Sequence, residues 1–182
     1  VNSAISAMDK IGAGPDQAMN ALDKTYARAV NTGLDAVATS KDFVDNLTLA
    51  NQLPFKNGVD GISKMTVLSE RVKLNLQEVA KASDKFSTIE GAIQGSAQLQ
   101  MLGGQYASMG SNPMTMLYEA TSDPEAFYKR ITKTFGSQAH FNRKTGESEI
   151  SPLQMAFIKE GAKAYGISPE EAIKSAKQQA KN

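Results

Sequence analysis

The sequence predicts a mainly α-helical protein, a multi-helix assembly of helix–turn–helix units with at most one short β-hairpin. Three observations predict it. Apolar residues recur at helical spacing along much of the chain, and strand-like alternation is scarce. Four prolines each follow a capping residue, at Asn112-Pro113, Asp123-Pro124, Ser151-Pro152 and Ser168-Pro169. Proline at the first helical position forfeits no hydrogen bond, because that amide has no partner inside the helix, while the side chain before it accepts from the free amides of the first turn. A helix is expected to begin at each of the four.

In chain order, the first helical pattern runs from Asp16 to Asn31, with Met19, Leu22, Tyr26 and Val30 as its apolar face. A second runs from Lys41 to Leu53 through Phe43, Leu47 and Ala50. "NGVDG" at Asn57 to Gly61 reads as a turn cluster, followed by a helix from Ser63 to Val72 with Met65, Leu68 and Val72 inward. Asn75 and Glu78 have the spacing of a capping box, in which the cap accepts from the third helical amide and the residue there reaches back to the cap's own amide. "LGGQYASMGSNP" at Leu102 to Pro113 sets three glycines and a proline between helices and reads as a hinge or loop. From Glu125 to Phe135, Phe127, Tyr128, Ile131 and Phe135 fall on one side and Lys129 and Lys133 on the other. "AHFNRKTGESEIS" is the one candidate hairpin, near Phe141 to Ile150, with Gly146 able to take the positive φ of a tight turn. From Leu153 to Tyr165 the apolar arc is broad, with Met155, Phe157, Ile158 and Ala162 inside it and Lys159, Glu160 and Lys163 left to solvent. Ser168 and Glu171 again have capping-box spacing.

That second box makes "YGISPEEAIKSAKQ" near the end similar to "KLNLQEVAKASDK" in the middle, and Met65 to Glu70 precedes the earlier stretch as Met155 to Glu160 precedes the later. Either a weak internal repeat of helix, turn and capped helix or two independent helical pairs sharing cap chemistry accounts for it. The expected organisation is an N-terminal helical segment over 1–62 and a helical region over 63–182, together a portion of a longer chain.

The 182 residues suffice for a sizeable core, since a compact chain of this length buries roughly 70% of its unfolded surface. With 21% charged residues and a net charge of +1, nothing electrostatic points to nucleic acid or acidic lipid. The absence of cysteine excludes disulfides, thiolate nucleophiles and Cys-based metal sites. No apolar run approaches the roughly 18 residues of a membrane span.

The chemical motifs fail in turn. "YASMG" puts Tyr106 where a nucleophile elbow needs glycine. His140 is the single histidine, too little for a metal site without cysteine. Glu147 and Glu149 lie in a polar turn with no apolar surroundings to raise a carboxyl pKa. "DGIS" at Asp60 lacks the alternating oxygens of a calcium loop, and neither "GAG" at Gly12 nor "LGG" at Leu102 leads into a phosphate-binding Lys and Ser or Thr. The expectation is no catalytic, cofactor-binding or metal-binding residue, no cofactor and no enzymatic activity. Lys174, Lys177 and Lys181 form a basic stripe on the last helix. A DNA-reading helix would want one, but late lysines also complement a helix C-terminus. Six of the eight methionines fall between Met65 and Met155, as adaptable core filler or as an interface.

On the residues "MTVLSERVKLNLQEVAKASDKFSTIEGAIQGSAQLQMLGGQYASMGSNPMTMLYEATSDPEAF" and "FNRKTGESEISPLQMAFIKEGAKAYGISPEEAIKSAKQ", the region from Lys64 to Lys181 resembles the tape-measure proteins of tailed phages, especially long examples from phages and prophages of Bacteroidota. It is also similar to internal virion proteins of crAss-like phages that are expelled with the genome. The resemblance rests on the capped helix pair, the "SAQLQMLGG" segment and the "NPM" to "SDPEAF" turn. It implies a structural protein of the virion interior, in the tail lumen or capsid, present in host cytoplasm during assembly. Such a protein sets or fills internal length and leaves before DNA passes. Its implied partners are other copies of itself and tail-tube, hub or portal-region proteins, with DNA nearby but not read by sequence and a membrane met on ejection. In isolation the segment would be soluble but poorly cooperative. The competing class is a helical DNA-binding or regulatory protein, for which the lysine stripe would be the working surface.

Overall fold

The computed structural model describes residues 2–55 and 57–182. With 77% of the chain helical and one two-stranded hairpin, it has the predicted mainly α class. Two compact units divide at Arg71 and Val72, later than the 62/63 boundary read from the sequence. The division moves because residues 58–72 form one helix, whose Ile62 belongs to the first core.

The first unit contains α1 (Asn2–Lys10), α2 (Pro15–Asn31), α3 (Ala36–Asn46), a 3₁₀ turn (Leu47–Asn51) and α4 (Gly58–Val72). Its core gathers Met8, Ala18, Ala21, Phe43, Leu47 and Ile62. Helix α3 starts before the expected Lys41 because Asp35 Oδ1 accepts from the amides of Val37 and Ala38, both at 3.0 Å. The expected turn at Asn57 to Gly61 is largely the first turn of α4, which begins at Gly58.

Of the predicted face of α2, Leu22 packs against the core but the other three residues are turned outward. Ala18, Ala21, Thr25 and Ala29 are buried, while Met19, Tyr26 and Val30 are exposed. Polar anchoring sets the rotation. Thr25 and Ser63 hydroxyls are both buried and 2.6 Å apart; Arg28 Nη1 donates to Ser63 Oγ at 2.7 Å and Nη2 to Asp60 Oδ1 at 2.7 Å. Rotating α2 to bury Met19 and Tyr26 would break this network, and an unsatisfied buried hydroxyl alone costs about 1–3 kcal/mol.

The second unit, from Val72 on, contains α5 (Leu76–Phe86), α6 (Ile89–Leu102), α7 (Gly104–Met109), α8 (Pro113–Ser122), α9 (Pro124–Gly136), β1 (His140–Asn142), β2 (Glu147–Glu149), α10 (Pro152–Tyr165) and α11 (Pro169–Lys181). All four Pro-marked starts are present. Asn112 accepts from Met114 and Thr115, Asp123 from Ala126 and Ser151 from Gln154. Ser168 occupies the fourth cap position without accepting such a bond. The hairpin is antiparallel, with His140 opposite Glu149 and Asn142 opposite Glu147. Helix α10 ends on Gly166 at φ 78°, where Gly166 N donates to Lys163 O and Ile167 N to Ala162 O, the double closure that a left-handed residue permits.

The core of this unit is aromatic. Tyr165 lies 5.8 Å from Phe86, 6.5 Å from Phe127 and 6.0 Å from Phe135, centroid to centroid, and its hydroxyl pairs with Thr134 Oγ1 at 2.7 Å. The segment read as a hinge is instead held here. Tyr106 on α7 is buried and packs 6.1 Å from Phe135 and 6.4 Å from Phe157.

Gly161 on α10 lets Tyr106 approach, since a Cβ there would overlap Tyr106 Cε1. Alanine in a helix interior ordinarily stabilises by about 0.5–1 kcal/mol over glycine. Overpacking should reverse that sign, so Gly161→Ala is expected to destabilise by about 1–3 kcal/mol in denaturant titration. A stabilised variant would mean that Tyr106 does not pack on α10. In the first unit, Arg28 holds the Asp60 carboxyl below its ordinary 3.8, with Lys64 assisting. A depressed carboxyl contributes stability above its unfolded pKa and loses it as pH falls through the folded value. Acid titration of stability should therefore show a loss below about pH 4 that is reduced in Asp60→Asn, whereas identical profiles would contradict the pairing.

Candidate functional site

The polar residues singled out by sequence do not converge. His140 is exposed on β1. Glu147 and Glu149 are exposed on β2, where Glu149 Oε1 accepts from Asn142 Nδ2 at 2.8 Å, a bond that fastens the hairpin. Among the described residues no group of three metal-ligating side chains comes together, and no helix is long and apolar enough to cross a membrane. Burial lowers the Lys85 pKa, but its ammonium donates to the Lys163 carbonyl at 3.0 Å and to Gln98 Oε1 at 3.3 Å. It closes the end of α10.

The matched helix starts do converge. Neither closes on itself, which corrects both capping-box expectations. Ser168 N donates to Glu78 Oε2 at 2.8 Å, and Asn75 N donates to Glu171 Oε2 at 3.4 Å. Each glutamate sits at the third position of its own helix and serves the cap amide of the other. Asn75 Oδ1 still accepts from Gln77 N at 2.9 Å, while Ser168 Oγ turns to Glu170 Oε2 at 2.7 Å. Glu78 is almost buried and also receives Lys81 Nζ at 2.9 Å. The shared spacing thus has a structural role in joining α5 to α11, whichever origin the similarity has.

The lysine stripe lies on the outer face of α11. Lys174, Lys177 and Lys181 are exposed, with Glu170 exposed at the helix start and Ala172, Ser175 and Ala176 buried opposite. Acidic residues in the first turn and a lysine in the last follow the helix dipole.

What sequence reasoning missed is apolar surface. In the first unit Met19, Tyr26 and Val30 on α2 and Val37 on α3 are exposed; in the second, Ile89, Ile93 and Met101 on α6 and Met114 and Tyr118 on α8. Methionine accordingly divides between two roles, with Met8, Met65 and Met116 buried and Met19, Met101 and Met114 exposed. The signal for α6 was available in its composition. Helix α6 carries one charge, the exposed Glu90 in its first turn, and from Gly91 to Ser122 the only charged residue is Glu119, which Arg130 holds in a two-point grip, Nε to Oε2 at 2.6 Å and Nη2 to Oε1 at 2.7 Å. Comparison with known proteins found no matching family model, curated protein or solved structure.

Proposed function

We propose that this chain works through its surfaces, as a structural protein of a tailed-phage particle that lies in the tail lumen or capsid interior and is released during genome delivery. The observation that carries the reading is the set of large apolar side chains turned outward on α2, α6 and α8. Isolated surface apolar residues are ordinary, but recurrence along one helix, as on α2 in the first unit, or on neighbouring helices of one unit, as on α6 and α8 in the second, marks a contact surface. The resemblance of Lys64 to Lys181 to tape-measure and ejected virion proteins supplies the setting. Contacts with further copies and with tail-tube, hub or portal-region proteins would cover these residues in the particle, and no catalytic step is assigned to the chain. The compact second unit suits an element packed as a folded body within the particle.

Mass spectrometry of purified particles from the encoding phage tests the reading. The polypeptide is expected in intact particles and depleted from particles triggered to eject. Its absence from particles, combined with DNA retention that weakens with salt and with replacement of Lys174, Lys177 and Lys181, would instead establish the DNA-binding alternative.

A further inference from the structure

We infer that α7 is a strap that opens on its own while the rest of the second unit stays folded, and that Tyr106 is the bolt that closes it. With 6 residues, α7 is too short to hold itself as a helix, since isolated helices below roughly 12–15 residues are marginal in water. Docking must hold it instead. Tyr106 is its one buried residue, and the ring packs against Phe135 and Phe157 in the notch left by Gly161.

That bolt is imperfect. Tyr106 is 4% exposed, yet its hydroxyl has no hydrogen-bond partner among the described residues, whereas the Tyr165 hydroxyl in the same cluster pairs with Thr134 Oγ1. In the open state the Tyr106 hydroxyl regains water, so the bond left unmade in the closed state favours opening. The two ends of the strap also differ. At its end the backbone is pinned, with Arg130 Nη1 donating to the Met109 carbonyl at 2.7 Å and the Ser96 hydroxyl bonded to the Gly110 carbonyl. At its start Gly103 and Gly104 sit at φ 71° and 53°, values that glycine enters and leaves without steric cost, and Gln105 Nε2 reaches the Lys133 carbonyl only at 3.5 Å. The strap therefore swings about Gly110. Lifting it bares the sides of Phe135 and Phe157 that Tyr106 covers, together with the Gly161 notch, so the open form offers an apolar slot that the closed form hides. Moving elements are drawn from the segments of lowest local stability, and α7 has one buried anchor.

Native-state hydrogen exchange of the whole chain, resolved by residue, tests the inference. Ala107 N donates to the Gly103 carbonyl and Gly110 N to the Tyr106 carbonyl, so both amides report on α7. They are expected to exchange at least roughly tenfold faster than the amides of Tyr128 and Ile131 in the middle of α9, through an opening that low denaturant does not accelerate. Tyr106→Phe keeps the ring and removes the hydroxyl, so it should slow exchange at Ala107 and Gly110 by roughly tenfold. Protection of these two amides equal to that of α9, with the same denaturant dependence, would show that α7 leaves only when the unit unfolds and would overturn the inference. Exchange in Tyr106→Phe as fast as in the parent chain would overturn it too, because the hydroxyl would then cost nothing in the closed state. Local opening does not depend on where the protein resides, so neither result bears on the particle reading.

Discussion

Tyr165 has to bury a whole aromatic ring and still give its hydroxyl a partner, and residues from Val72 onward are arranged around that requirement. Thr134 supplies the partner at 2.7 Å, while Phe86 from α5 and Phe127 and Phe135 from α9 enclose the ring. Burial pushes the Tyr165 hydroxyl pKa upward, so the neutral phenol is the form the core holds. One turn earlier on α10, Gly161 leaves room for Tyr106, which carries α7 into the same cluster. Fully burying a large apolar side chain contributes roughly 1.5–3 kcal/mol, and each well-placed aromatic pair about 0.5–1.5 kcal/mol more. A helix cap contributes about 1 kcal/mol. Each member of the cluster therefore contributes more than a cap does, and the caps decide which helix ends meet.

Seen this way, the exchange of Glu78 and Glu171 follows from proximity. A cap amide needs an acceptor, and with α5 and α11 starting side by side the neighbour's glutamate reaches it. The two bonds are unequal, 2.8 Å at Ser168 and 3.4 Å at Asn75, and the shorter involves the more buried carboxylate. A buried carboxylate left without partners is costly. Glu78 avoids that cost by engaging Ser168 N and Lys81 Nζ together.

Local chemistry was legible in the sequence, and choices made by distant neighbours were not. The helix starts at Asn112, Asp123 and Ser151 needed only a capping side chain beside proline, and the hairpin needed only Gly146, which has φ 73°. The inward face of α2 was misread because side-chain size favoured Met19 and Tyr26, whereas small residues and the Arg28 anchor fixed the rotation. Helix α7 was read as loop because Gly103 and Gly104, both at positive φ, punctuate the chain there. The residues that hold Tyr106 in place lie on α9 and α10. The spacing of each capping box was visible, but the destination of its glutamate depended on a helix about ninety residues away. No chemical centre was expected. The candidate surface emerged only when burial separated the exposed methionines from the core ones.

The fold places its charge-poor, apolar surface on α6 and α8 while α5, α9 and α10 bury the aromatic cluster and α11 is tied to α5 by the exchanged glutamates. Amide hydrogen exchange at Ser168, followed by NMR, tests this arrangement most directly. The Ser168 amide is expected to be protected, to lose protection in Glu78→Ala and to keep it in Glu171→Ala, because its acceptor belongs to the other helix. Loss of protection in Glu171→Ala, with Glu78→Ala unaffected, would show an ordinary capping box and contradict the account.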